Sequence, residues 1–141
     1  MDESLEQYLK ECLYTPTDLA EVRVHLARTP GDISFWNQKL SEAVAAANVA
    51  EADYRCVEGV VFTEMKELLL IKRNKATESD VKALQRADKR YTAAKVKVGD
   101  GDADVVRLRG VCEALKAKMS ALITLSTFIR AEMSDPTLNR L

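Results

Sequence analysis

Apolar residues recur along this chain at alternating steps of three and four, and two such runs cover most of its length. In the second half one set reads Leu84, Tyr91, Val98, Val105, Cys112, Met119, and the interleaved set reads Ala87, Ala94, Gly101, Leu108, Leu115, Leu122, Ile129. In the first half the run is Trp36, Leu40, Ala43, Ala47, Ala50, Tyr54, Val57, Val61, Glu64, Leu68, Ile71, broken only by Glu64. A residue returning every three or four positions keeps one stripe of a helix against a partner. Runs this long predict coiled-coil helices and not a compact enzyme core.

The boundaries follow from turn and capping residues. Two short helical pieces are expected in the first 28 residues, separated at Tyr14-Thr15-Pro16-Thr17, with Thr15 or Thr17 as a cap for the second. Leu5, Leu9, Cys12 and Leu13 mark the apolar face of the first piece, and Leu19, Val22 and Leu26 that of the second. Thr29-Pro30-Gly31-Asp32 is expected to stop that helix, with Asp32 capping the next. From Ile33 to Lys72 only Gly59 interrupts the pattern, at a cost of about 1 kcal/mol relative to Ala. Asn74-Lys75-Ala76-Thr77 forms the reversal, and Thr77-Glu78-Ser79-Asp80 resembles a capping box. Val98-Gly99-Asp100-Gly101-Asp102-Ala103-Asp104 reads locally as a turn. The seven-residue register passes through it unslipped, however, so one helix is expected from about 78 to 133. Two long helices joined by a short turn run antiparallel. The predicted fold is all-α: a long antiparallel, coiled-coil-like helical hairpin with short N-terminal helices, oligomeric. Its parts are an N-terminal segment at 1–30, the hairpin at 31–134 and a tail at 135–141.

Composition supports this picture: 5 Gly, 3 Pro and 6% aromatic residues among 141. A hairpin has a thin core, so part of its apolar surface is expected to be covered by another copy. The net charge of −1 conceals a division. Residues 1–65 carry a balance of −7, residues 66–97 one of +6, and residues 98–141 are neutral. Cys12, Cys56 and Cys112 are odd in number and far apart, which fits a reducing compartment and no disulfide framework or zinc knuckle. Cys112 is read as a small buried side chain of the stripe. No leader segment and no membrane-length apolar run is present, so a soluble, intracellular protein is expected.

Candidate chemistry is sparse. Asp100, Asp102 and Asp104 have the spacing of a calcium loop, but Val105 and Val111 stand where Gly and a bidentate Glu belong. A solvated acidic face is the better reading. His25, the single histidine, lacks the neighbours for a metal site or a general base and is expected on a helix surface. No cofactor, metal or catalytic residue is expected, and no enzymatic activity. The basic segment differs. Lys66, Lys72, Arg73 and Lys75 cluster around the turn; Lys82, Arg86 and Lys89 recur at helical steps opposite Leu84 and Tyr91, with Arg90 beside them. Such a stripe can follow a phosphate backbone. The plainer alternative is a charged outer face, partly neutralised by Glu67, Glu78, Asp80 and Asp88.

Three stretches carry a resemblance. Lys75-Ala76-Thr77-Glu78-Ser79-Asp80-Val81-Lys82-Ala83 with Lys89-Arg90-Tyr91 resembles the middle of the phage UvsY-like recombination mediators. Ala121-Leu122-Ile123-Thr124-Leu125-Ser126-Thr127-Phe128-Ile129-Arg130-Ala131-Glu132-Met133 resembles their close, and Trp36 with Leu40 the start of their long helix. The likeness spans about residues 33–133. It implies a non-enzymatic accessory to homologous recombination in the cytoplasm of a phage-infected bacterium. Such a homo-oligomer binds single-stranded DNA and helps a recombinase replace the single-strand-binding protein. The basic cluster that the best-studied member of that family looks to have in the middle of its first long helix has no counterpart here, since Cys56-Val57-Glu58-Gly59-Val60-Val61 carries no positive charge. DNA contact is therefore expected at the turn and the start of the following helix, with Leu84, Tyr91, Val98, Val105, Leu108, Leu115, Leu122 and Ile129 as core and assembly positions. Two alternatives remain: an adaptor coiled coil recruiting a protein through its apolar stripe, and a phage effector whose acidic N-terminal third suits a basic host target.

Overall fold

The computed structural model describes residues 2–134, and the tail expected at 135–141 lies outside them. Four helices follow one another: α1 (Glu3–Leu13), α2 (Leu19–Arg73), α3 (Glu78–Ala87) and α4 (Lys89–Met133). Among the described residues there is no strand, and α2 packs against α4 in a hairpin. The chain divides into two compact units. One comprises the residues up to Lys39 and those from Leu108 on; the other is Leu40–Arg107.

In the first unit, α1 closes over α2 and α4. Glu3 and Glu6 stand in its first turn and Lys10 in its last, the arrangement the helix dipole favours. Cys12 is 1% exposed, and Pro16, in the connection to α2, is fully buried. Tyr8 stacks on Trp36 at 6.1 Å, and Phe35 meets both rings edge-on at 5.2 and 5.4 Å. The α4 side supplies Leu108, Val111, Cys112, Leu115, Lys118 and Leu122, all buried. This stripe is wider than a two-helix seam because α4 faces α1 as well as α2, as the bond from Lys118 Nζ to the Cys12 carbonyl demonstrates. Fully burying a leucine such as Leu115 or Leu122 contributes about 1.5–3 kcal/mol.

The helix break expected at 29–32 does not occur: α2 is unbroken from Leu19 to Arg73 with Pro30 inside it. Pro30 cannot donate to the carbonyl four residues back. The flanking residues are instead held by their surroundings. Thr29 is fully buried, with Oγ1 donating to the His25 carbonyl at 2.6 Å. Asp32, 4% exposed, accepts from the Tyr8 hydroxyl at 2.6 Å and pairs with Arg28 at 3.6 Å. Asp32 is thus an internal anchor and not a cap. Propensity is a weak bias that such contacts override.

In the second unit, α2 ends at Arg73 and Asn74 adopts a left-handed conformation (φ 54°), its N–H bonding the Leu70 carbonyl. Asparagine tolerates that region better than other side-chain-bearing residues. Thr77 caps α3 as expected, its Oγ1 accepting from the Asp80 N–H at 3.3 Å. One helix over 78–133 is not found. Asp88 is extended (φ −71°, ψ 130°) and separates α3 from α4, and its carboxylate accepts from the Arg90 N–H at 2.8 Å, capping α4. The Gly- and Asp-rich stretch at 98–104, by contrast, is continuous helix. There the backbones come close: a Cβ on Gly101 would lie 3.3 Å from the Ala47 Cα. Tyr54 and Tyr91 join their hydroxyls at 3.0 Å further along. Residue numbers rise on α2 as they fall on α4, so the pair is antiparallel.

The seam positions Leu84, Tyr91, Val98 and Val105 are half-buried. In the other unit, Leu108, Leu115 and Leu122 are buried and Ile129 half-buried. The first-half run drifts off the interface near its end. Val61 is fully buried, but Leu68 is 38% and Ile71 81% exposed, while Leu69 is at 6%. An undistorted helix drifts about 20° per heptad against a strict seven-residue repeat, which turns Ile71 outward and Leu69 inward.

Candidate nucleic-acid interface

The eight cations singled out from the sequence all belong to the second unit. Lys66, Lys72 and Arg73 lie on the last turns of α2, Lys75 in the connection, Lys82 and Arg86 on α3, and Lys89 and Arg90 at the start of α4. All eight are exposed. Two are engaged by carboxylates. Lys82 Nζ pairs with Glu78 at 2.6 Å, four residues back on the same helix. Arg90 reaches Glu64 across the helix pair and Asp88 at 3.1 Å beside it. The charges respond accordingly: the carboxyls of Glu64 and Asp88 are held below their usual range by hydrogen bonds from Arg90, and that of Glu78 by Lys82. The Lys82–Glu78 and Arg90–Glu64 pairs are exposed, and such pairs add little to stability. Their effect is to use up local acid.

Among the described residues no carboxylate pairs with Lys66, Lys72, Arg73, Lys75, Arg86 or Lys89. Lys82 and Arg86 sit four apart on one helix face. They line two shallow grooves: one of about 450 Å³ with Glu78, Ser79 and Ala83, and one of about 470 Å³ with Glu58, Gly59, Phe62, Thr63, Gln85 and Tyr91. Arg90 instead borders a hollow of about 380 Å³ with Asp53, Cys56 and Lys97. Lys97 was not singled out from the sequence, although it falls in the same basic segment.

Asp100, Asp102 and Asp104 are exposed along α4, and Asp104 pairs with Arg107 at 2.9 Å. Among the described residues no three His, Cys, Asp or Glu side chains converge as metal ligands, and no helix is long and apolar enough to cross a membrane.

The first unit holds a polar cluster that sequence reasoning did not find. His25 is not a surface residue; it is half-buried, and its Nδ1 lies 3.0 Å from Lys118 Nζ. Lys118 is 5% exposed and donates to the Cys12 carbonyl at the C-terminal end of α1, where a cation also suits the helix dipole. Burial pushes the Lys118 ammonium and the His25 imidazole down, and for His25 the neighbouring Lys118 and Arg28 charges add to the shift. The Cys12 thiol is pushed up by burial, and the Tyr8 hydroxyl by its bond to Asp32. One signal was available: Lys118 stands three after Leu115 and four before Leu122, on the buried stripe. These groups clamp α1 in place, and His25 and Arg28 also border an open hollow of about 390 Å³ with Gln7, Lys10, Glu11 and Tyr14.

Fold and surface together define a class, an all-α hairpin protein that presents incompletely neutralised cations at the turn of its second unit. Comparison with protein-family models, curated proteins and solved structures returns no match.

Proposed function

We propose that this chain is a non-enzymatic binder of single-stranded DNA that acts as a recombination mediator, helping a recombinase displace single-strand-binding protein. One observation carries the binding reading: among the described residues, six exposed cations from the last turns of α2 to the start of α4 have no carboxylate partner, while three of the nearby acids, Glu64, Glu78 and Asp88, are already occupied. A polyanion can take those positions without first breaking an ion pair, and each contact releases counterions from the strand. The mediator role is added by the resemblance of residues 33–133 to the UvsY-like family. Assembly of several copies, which would multiply the patch, is supported by apolar side chains left exposed in the second unit, such as Val49, Val60 and Val106.

Titration of labelled single-stranded oligonucleotides at rising salt tests this reading. Six phosphate contacts at about 0.7 each give a log–log slope near −4. Absent or salt-insensitive binding overturns it. An adaptor role keeps specific support from Leu68, Leu70 and Ile71, which are 38%, 44% and 81% exposed beside the turn. That role requires oligomerisation or partner capture with no affinity for DNA.

A further inference from the structure

The geometry points to a nucleobase subsite in the groove of the second unit bordered by Gly59, Phe62, Lys82, Gln85, Arg86 and Tyr91. A base of the bound strand lies against the aromatic wall there, and Arg86, the cation of the rim without a carboxylate partner among the described residues, holds the adjacent phosphate. This subsite rests on the strand-binding reading and adds a contact to bases that the charge pattern alone does not contain.

Four features of the groove support it. Its volume of about 470 Å³ falls within the range of small-molecule sites, about 300–1,000 Å³. Its aromatic members, Phe62 and Tyr91, are half-buried, so each offers some ring surface. The Tyr91 ring is steadied by its hydroxyl bond to Tyr54 at 3.0 Å, and Gln85 is fixed by the bond from its Nε2 to the Glu58 carbonyl at 2.7 Å. A preset wall costs less ordering on binding. An added Cβ on Gly59 would meet nothing within 4 Å, so the groove wall is open there and a larger side chain can be built into it.

Charge sets the orientation. The cations Lys82 and Arg86 stand on α3, whereas the acid of the groove, Glu58, stands on α2. Arg86 has no carboxylate partner among the described residues, and Lys82 is shared with Glu78. Phosphates therefore run along the α3 side and the base turns inward, away from the cationic rim. Stacking on an aromatic face tolerates any base, because every base has a π-face. The subsite thus serves a binder that reads no sequence.

The test uses the full chain and two probes of equal length at one salt concentration, a mixed-sequence single strand and an abasic deoxyribose-phosphate strand. The base-bearing strand is expected to bind about tenfold more tightly, the size of one stacking contact. Gly59→Leu fills the groove while improving helix propensity, so it keeps the fold, a point checked by thermal melting. It should bring the two probes to within about twofold by weakening only the base-bearing one, and Phe62→Ala should act in the same direction. Equal binding of both probes by the unaltered protein, or an undiminished preference in Gly59→Leu, overturns the subsite and leaves phosphate binding standing. Failure to bind either probe overturns the strand-binding reading itself, and the subsite with it.

Discussion

Lys118 and His25 illustrate how a single residue can matter more than its sequence context suggests. Nδ1 of the imidazole lies 3.0 Å from Lys118 Nζ, and burial together with the Lys118 and Arg28 charges depresses its affinity for a proton. Glu21 and Asp32 on α2 pull the other way, but more weakly. The unfolded chain, with an ordinary imidazole near 6.5, binds a proton that the folded chain refuses, so stability must fall as pH drops below about 6.5. Urea unfolding between pH 7.5 and 5.5 should show that loss, and His25→Gln should flatten it. Parallel profiles for the two proteins would contradict the assignment. The carboxyls held low by Arg90 and Lys82 act in a separate window, since their contribution persists until pH falls below the ordinary carboxylate range near 4. Nothing adjacent in sequence marks His25 as half-buried, because its neighbours are Lys118 from α4 and the ring of Tyr14 just after α1. Its environment is a tertiary fact. Lys118 was legible in principle, since its spacing places it on the apolar stripe, but a lysine there reads as an interruption until a carbonyl and an imidazole are found waiting for it.

At the scale of the helix, periodicity foretold the elements well and their interruptions poorly. The passage through 98–104 was readable because the register of Tyr91, Val98 and Val105 continues across it, and the close approach at Gly101 explains why glycine is used. Gly101→Leu should destabilise by about 1–3 kcal/mol by forcing α2 and α4 apart. Gly99→Ala, which meets only open space, should stabilise by about 0.5–1 kcal/mol. Urea unfolding decides both, and equal signs would place the helix contact elsewhere. The two interruptions misjudged from sequence fail in opposite directions. Pro30 is a strong breaker overruled by buried neighbours, whereas Asp88 ends a helix with no glycine or proline near it. The break at Asp88 is legible only through its capping role. Asp88→Ala should cost about 1 kcal/mol, and Asp88→Asn, which keeps an acceptor for the Arg90 N–H, most of that less. A larger loss in the asparagine variant would mean that the charge, and not the cap, holds the junction.

For the whole molecule, the informative quantity is how charge is divided, not its sum. A net charge of −1 coexists with a balance of +6 over residues 66–97, and the structure spreads that segment from the last turns of α2 across the connection and α3 to the first turns of α4. Which of those cations are free to meet a ligand was not legible from the sequence. Glu64 lies in the apolar run and gave no sign that it would reach Arg90, 26 residues away, and the Lys82–Glu78 pair is one of several that helical spacing permits. The structure separates engaged from unengaged cations, and that separation is the basis of the functional proposal.

The most direct measurement is therefore a comparison of salt slopes for single-stranded DNA binding in two variants. Replacing the unengaged Lys72, Arg73 and Lys75 by Ala should reduce the slope by about 2, at roughly 0.7 per lost contact. Replacing the engaged Lys82 and Arg90 should change it by less than about 1, because each already has a carboxylate partner. Equal reductions, or a slope unaffected by removal of the turn cations, would show that the strand does not bind at this turn.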